Sequence, residues 1–144
     1  MEAWPFSEEE WQAVRDAALA HLNAHFARDA VLRASCFLTL CEILAELRSR
    51  HGDHPVLWEK EADFTDADEE RLPLYERAIR AAEADGWQTL TIRISLAEAL
   101  LRLSRPTEAR GELLACRDEM EASEDEFDRW LWSESMAECE RMLD

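Results

Sequence analysis

Three glycines (Gly52, Gly86 and Gly111) and four prolines (Pro5, Pro55, Pro73 and Pro106) are the only strong turn formers in 144 residues. That scarcity constrains the fold more than any other feature. An all-β chain needs turn signals about every 8–12 residues, and this one has long stretches with none. Within those stretches apolar residues recur three and four apart, the period of a helix with one buried face. The predicted fold class is all-α, with about seven helices in antiparallel hairpins.

The boundaries follow from caps and breakers. Ser7, Glu8, Glu9 and Glu10 form a capping box, and Trp11, Val14, Ala18, Leu22 and Phe26 follow at helical spacing, so a first helix is predicted over 8–28. Asp29 caps a second helix that ends near Arg48 to Arg50, with Gly52 as its stop. Cys36 to Cys41 is apolar nearly all round, which places this helix centrally. Pro55 fits the first turn of a third helix reaching Phe64. A fourth starts at Thr65 to Asp68 and stops at Gly86, with Pro73 in its first turn or at a kink. A fifth runs from Trp87 to Leu103, a sixth from Thr107 to about Ala122, and a second capping box, Ser123 to Glu126, starts a seventh. Residues 89–96 alternate apolar and polar as a strand would. With no partner strand, and with Leu90, Ile94, Ala97 and Leu101 on one helical face, a helix is predicted there.

One stretch carries a family resemblance. Leu96 and Ala97, then Leu100, lead through Ser104-Arg105-Pro106 to Ala109, Leu113 and Cys116. This large–small alternation resembles a tetratricopeptide repeat, best over 88–118, with a weaker copy over 55–87. Two departures stand out in the better copy, Ser104 in place of the usual turn glycine and no proline after the second helix, and in the weaker copy Arg71 stands where a small residue is expected. The resemblance implies a single helical-repeat domain over 1–144: an N-terminal hairpin (7–50), two repeat-like hairpins (55–122) and a capping helix (123–143). A non-repetitive helical bundle is the other arrangement compatible with the pattern, since stable arrays usually have about three copies.

The formal net charge is −17, from 33 acidic and 16 basic residues, with Lys60 the only lysine. Such a field repels nucleic acid and anionic membranes and accelerates encounter with a basic partner. It also serves solubility, and composition does not choose between the two. Cys36, Cys41, Cys116 and Cys139 lie in helical stretches without framework spacing, which predicts reduced thiols and a cytoplasmic setting. Met1 to Pro5 lacks the basic and apolar regions of a leader, and no apolar run approaches the roughly 18 residues of a membrane span.

No enzyme signature is present. His21 and His25 have the i,i+4 spacing of paired metal ligands, but Leu22 occupies the place of a general-base glutamate, and His51 and His54 lie in the next loop. The prediction is no metal, no cofactor and no catalytic residue; a helical metal enzyme built on His21 and His25 is the alternative from a different class. Lysines and asparagines that would clamp a peptide carboxylate are reduced to Lys60 and Asn23, so a groove of this chain would be acidic. Acidic residues concentrate at 59–70 and 118–128, next to Trp58, Phe64, Phe127, Trp130 and Trp132. Helix-dipole compensation accounts for such clusters, and so does a protein-binding hot spot in an acidic rim. On the second reading the partner-binding residues are Trp58, Glu61, Asp63, Asp66, Asp68, Glu124, Asp125, Asp128 and Trp132, with Trp132 the exposed anchor. The expected partner is a protein with a basic surface. By its size, charge and repeat, the chain is similar to immunity proteins that neutralise bacterial toxin or effector domains, and next to secretion chaperones or adaptors of the tetratricopeptide type.

Overall fold

The computed structural model describes residues 4–144; Met1 to Ala3, part of the segment considered above as a leader, lie outside the described residues. Eight helices follow in order: α1 (Glu8–Phe26), α2 (Ala30–His51), α3 (Pro55–Phe64), α4 (Asp68–Asp85), α5 (Leu90–Arg102), α6 (Pro106–Ala115), α7 (Arg117–Ala122) and α8 (Glu126–Leu143). Among the described residues there is no strand, and no helix is long and apolar enough to cross a membrane.

The first capping box forms as predicted and does more than cap. Ser7 Oγ accepts from Glu10 N at 3.1 Å while Ser7 N donates to Glu10 Oε1 at 2.9 Å. The same Glu10 carboxylate lies 2.9 Å from His51 Nε2 and accepts from Arg50 at 3.2 Å, both at the far end of α2. These bonds, the Ser7 backbone first and then His51 and Arg50, pull its carboxyl down to about 2. The start of α1 is thereby tied to the end of α2. Asp29 caps α2 through Leu32 N, and Gly52 ends it at φ 82°, a left-handed value suited to glycine. His54 caps α3, its Nδ1 accepting from Val56 N at 3.2 Å, with Pro55 in the first turn.

Several predicted boundaries move, each for a local reason. Pro73 lies inside α4, not in its first turn. Arg71, too large for the repeat pattern, donates to the Thr65 carbonyl and pairs with Asp68, closing the α3–α4 turn. Trp87 does not open α5: its N–H donates to Ala82 O and finishes α4, and α5 begins only after Thr89, whose N and Oγ1 both donate to Glu119 of α7. The long sixth helix is broken at Cys116. Its continuation needs Leu113 O to accept from Arg117 N, but that carbonyl accepts instead from the Trp132 indole at 2.8 Å and from Cys116 N at 3.3 Å. The second capping box does not form either. Asp125 caps α8 through Phe127 N and Asp128 N, and Ser123 Oγ accepts from Asp125 N.

The central helix is α5, not α2. Leu90, Ile92, Ile94, Leu96, Ala97, Ala99 and Leu100 are all buried, because α4, α6 and α8 pack around α5. Its apparent strand alternation is the signature of a helix with little solvent face. By contrast α2 buries Leu40, Leu44 and Leu47 and leaves Val31, Leu32 and Leu38 exposed. A smaller core (Phe6, Val14, Ala17, Leu40, Leu44, Leu47, Leu57) sits under α1 and α2, and a larger one spans α3 to α8. Helix α3 is the wall between them, giving Leu57 to one and Ala62 to the other.

Ala97 is fully buried where α5 packs on α6. Ala97→Trp is expected to overpack this contact and cost roughly 1–3 kcal/mol or more, read by urea unfolding. An unchanged midpoint would contradict the packing. Trp132→Ala is expected to cost about 3–5 kcal/mol by losing a buried ring, whereas exposed Trp130→Ala should stay within about 0.5 kcal/mol of the parent.

Candidate protein-binding site

Three of the seven acidic residues of the first cluster are paired with arginines of the molecule itself. Glu61 pairs with Arg48 at 2.6 Å, Asp66 pairs with Arg33, and Asp68 takes Arg102 at 2.9 Å and Arg71 at 3.6 Å. Trp58 is likewise committed: half-buried, it has the Arg48 and Arg77 guanidiniums 4.0 and 4.7 Å from its ring centre. These residues fasten α2, α3, α4 and α5 to each other, so the structure does not present them together as a free binding surface.

Two carboxylates of α3 are used differently. Glu59 and Asp63, one turn apart, face α5 along a seam. Glu59 Oε2 accepts from Thr91 Oγ1 at 3.0 Å, and Asp63 Oδ1 accepts from Tyr75 of α4 at 2.7 Å. Glu98 of α5 and Asp128 in the first turn of α8 add their charges to the same region. Burial, then the charges of Asp63 and Asp128, push the Glu59 carboxyl up to about 7 against the pull of Thr91 and Lys60. Desolvation also raises Asp63, Glu98 and Asp128, with Asp63 adding to the effect at Glu98 and Asp125 at Asp128. The Tyr75 hydroxyl is held far above its usual range by burial and by Asp63. Four carboxyl groups from three helices thus carry more negative charge than their surroundings compensate.

The seam opens at both ends. Near α4 a cavity of about 270 Å³ is lined by Asp63, Arg71, Tyr75, Ser95, Glu98 and Arg102. Near the N-terminus one of about 410 Å³ is lined by Trp4, His54, Val56, Glu59, Trp87 and Thr91, among others. A third, of about 650 Å³, lies apart from the seam between α2 and α3–α4, with Phe37, Leu38, Phe64 and Leu74 in its walls.

Of the residues predicted for partner binding, Asp63 and Asp128 lie in this region. Glu124 and Asp125 are exposed at the start of α8, where Asp125 serves as the cap. Trp132 as an exposed anchor is corrected: it is 8% exposed, in the core. The exposed aromatic pair is Phe127 and Trp130, stacked with centres 6.0 Å apart. The buried spacing Trp132, Ser135, Cys139 (i, i+3, i+7) carried that information in the sequence. Glu59, Glu98 and Tyr75 were missed as site residues, because their convergence depends on how α3, α4 and α5 pack.

The histidines do not converge. His21 is buried edge-on against Phe64 and Phe37, at 5.2 and 6.2 Å, and its burial holds it below the usual imidazole range; His25 is exposed. His51 serves Glu10 and His54 caps α3. Among the described residues no three His, Cys, Asp or Glu side chains are grouped to hold a metal ion. All four cysteines are free thiols. Comparison with protein-family models, curated proteins and solved structures finds no match to this chain.

Glu59 makes a testable contribution to stability. Its carboxyl is raised from the ordinary value of 4.5 to about 7 in the folded state, so the folded state holds the extra proton between those values. Its contribution to stability is therefore full below about pH 4.5 and is lost as pH rises to about 7, by an amount on the order of 3 kcal/mol. Glu59→Gln is expected to flatten this part of the pH profile and to raise the melting temperature at pH 8. A variant less stable than the parent at pH 8 would contradict the assignment.

Proposed function

We propose that this protein binds a basic surface of another protein, and that its most concrete role is that of an immunity-type inhibitor covering a toxin or effector domain. The observation that carries the reading is the set of Glu59, Asp63, Glu98 and Asp128, which make no ion pair among the described residues and are raised by desolvation, with like charge adding at Glu59 and Glu98, while Glu61, Asp66 and Asp68 are paired with arginines. A cationic segment laid along the seam would stabilise their charged forms. Phe127 and Trp130, close to Asp128 in the chain, supply an exposed aromatic contact of the kind that anchors interfaces. We read α3–α4 and α5–α6 as tetratricopeptide-like hairpins between an N-terminal hairpin and the capping α8. The buried small residues Ala97, Ala109 and Cys116 beside Leu96, Leu100 and Leu113 support this. So does Ser104, which at φ 59° adopts the left-handed turn that glycine occupies more readily.

A second reading, a secretion chaperone or adaptor, draws on a different surface. Leu19, Leu22 and Phe26 of α1 and Val31, Leu32 and Leu38 of α2 are exposed, and Leu38 borders the large cavity beside α3–α4. An apolar client segment would suit that face.

Salt separates the two, because steered association slows as ionic strength rises while apolar capture does not. With a labelled arginine- and lysine-rich peptide as probe, Glu59→Gln, Asp63→Asn, Glu98→Gln and Asp128→Asn together should weaken binding by at least about tenfold and slow association. Neutralising Glu9, Glu42, Glu134 and Glu140, exposed on α1, α2 and α8, changes net charge equally. Equal losses from both sets would leave only total charge at work and sink the seam as a site.

A further inference from the structure

The molecule contains one complete example of how it holds a guanidinium. Arg48 lies 4.0 Å over the Trp58 ring and donates to Glu61 at 2.6 Å, so an aromatic face and a carboxylate share one cation. The N-terminal end of the α3–α5 seam repeats these two ingredients without a described basic side chain paired to them. Trp4 is held edge-on by Phe6 and Trp11, with centres 5.0 Å away in each case, and remains about half exposed at 46%. Trp4 and Trp87 both pack against the buried His54 ring, at 5.5 and 4.7 Å. His54 Nδ1 is engaged by Val56 N, and burial keeps this imidazole below its usual range, so the floor is neutral and does not repel a cation. Glu59 borders the same cavity, oriented by its bond from Thr91. A volume of about 410 Å³ is ample for one long basic side chain.

We propose that this cavity, walled by Trp4 and Trp87 and bordered by Glu59, receives a single guanidinium or primary ammonium group presented by the partner. The inference rests on the partner being basic, and it names the contact that would give such a partner its register: one arginine or lysine inserted beside the two indole rings, where cation–π attraction and a carboxylate act together. Trp58, by contrast, already has the guanidiniums of Arg48 and Arg77 against its ring.

The test needs no partner. The indole N–H resonances of the protein are followed by NMR at pH 8, where Glu59 is ionised, during titration with ethylguanidinium and butylammonium. Butanol and butyramide serve as uncharged controls. The expected result is saturable shifts at Trp4 and Trp87 with both cations, none with the controls, and no movement of Trp130. Glu59→Gln, which should remain folded, is expected to weaken the cations by about fivefold, and Trp4→Leu, which keeps an apolar body but no ring, by at least about threefold. Equal shifts with butanol, shifts spread over all the tryptophans, or cation affinity unchanged in Glu59→Gln would overturn the proposal. If the cavity fails while the four-carboxylate variant still loses basic-peptide binding, the seam stands and only this pocket is wrong. If both fail, the basic-partner reading falls with it.

Discussion

Helix α5 has almost no solvent face to give away, and the rest of the larger core is arranged to satisfy it. With residues buried on every side from Leu90 to Leu100, it needs α4, α6 and α8 around it at once. Helix α8 is fixed there by Trp132, whose ring fills the core and whose N–H takes the Leu113 carbonyl. That hydrogen bond has a second consequence, since it uses the acceptor that would have carried α6 onward and so creates the separate α7. Glu119 of α7 then turns back to satisfy Thr89 at the start of α5. The helix ends around the core therefore cap one another across space, which is how buried backbone groups at α5 find partners without a local cap.

The electrostatic plan follows from the same packing. A chain with net charge −17 cannot neutralise all its carboxylates, and several of its arginine pairs lie at junctions between helices, among them Arg48 to Glu61, Arg93 to Glu112 and Arg102 to Asp68. Such forked contacts between partly buried groups fix orientation as well as charge. The seam between α3 and α5 is left underneutralised. Retaining a group such as Glu59 with its carboxyl near 7 is unfavourable for the isolated fold, and departures of this kind from local consistency tend to mark functional positions.

The N-terminal hairpin and the aromatic residues preceding it form a second structural unit joined through α3. Glu10 ties α1 to α2, while Phe6 and Trp4 carry the chain across His51 and His54 to the mouth of the seam. His25 is exposed, but the other three histidines are engaged: His51 bonds Glu10, His54 caps α3 and His21 is a buried ring. Their common property is position at junctions, where an imidazole can combine an apolar face with one hydrogen bond.

The existence and type of nearly every helix was legible in the sequence, because period and caps are local: the Ser7 box, Asp29, Pro55 and Gly86 act within a few residues of themselves. The excess of negative charge was legible too, from 33 acidic residues against 16 basic ones. What tertiary structure alone decided was which carboxylates remain free. Glu61, Asp66 and Asp68 look the same as Glu59 and Asp63 in the sequence, yet arginines distant in the chain reach the first three and not the other two. It likewise decided that Trp132 is core and Trp130 surface, and that Leu113 O belongs to a tryptophan nineteen residues onward. Local rules fix hydrogen bonds that close within a turn; the partners of a side chain are set by whichever helices burial of α5 brings alongside it.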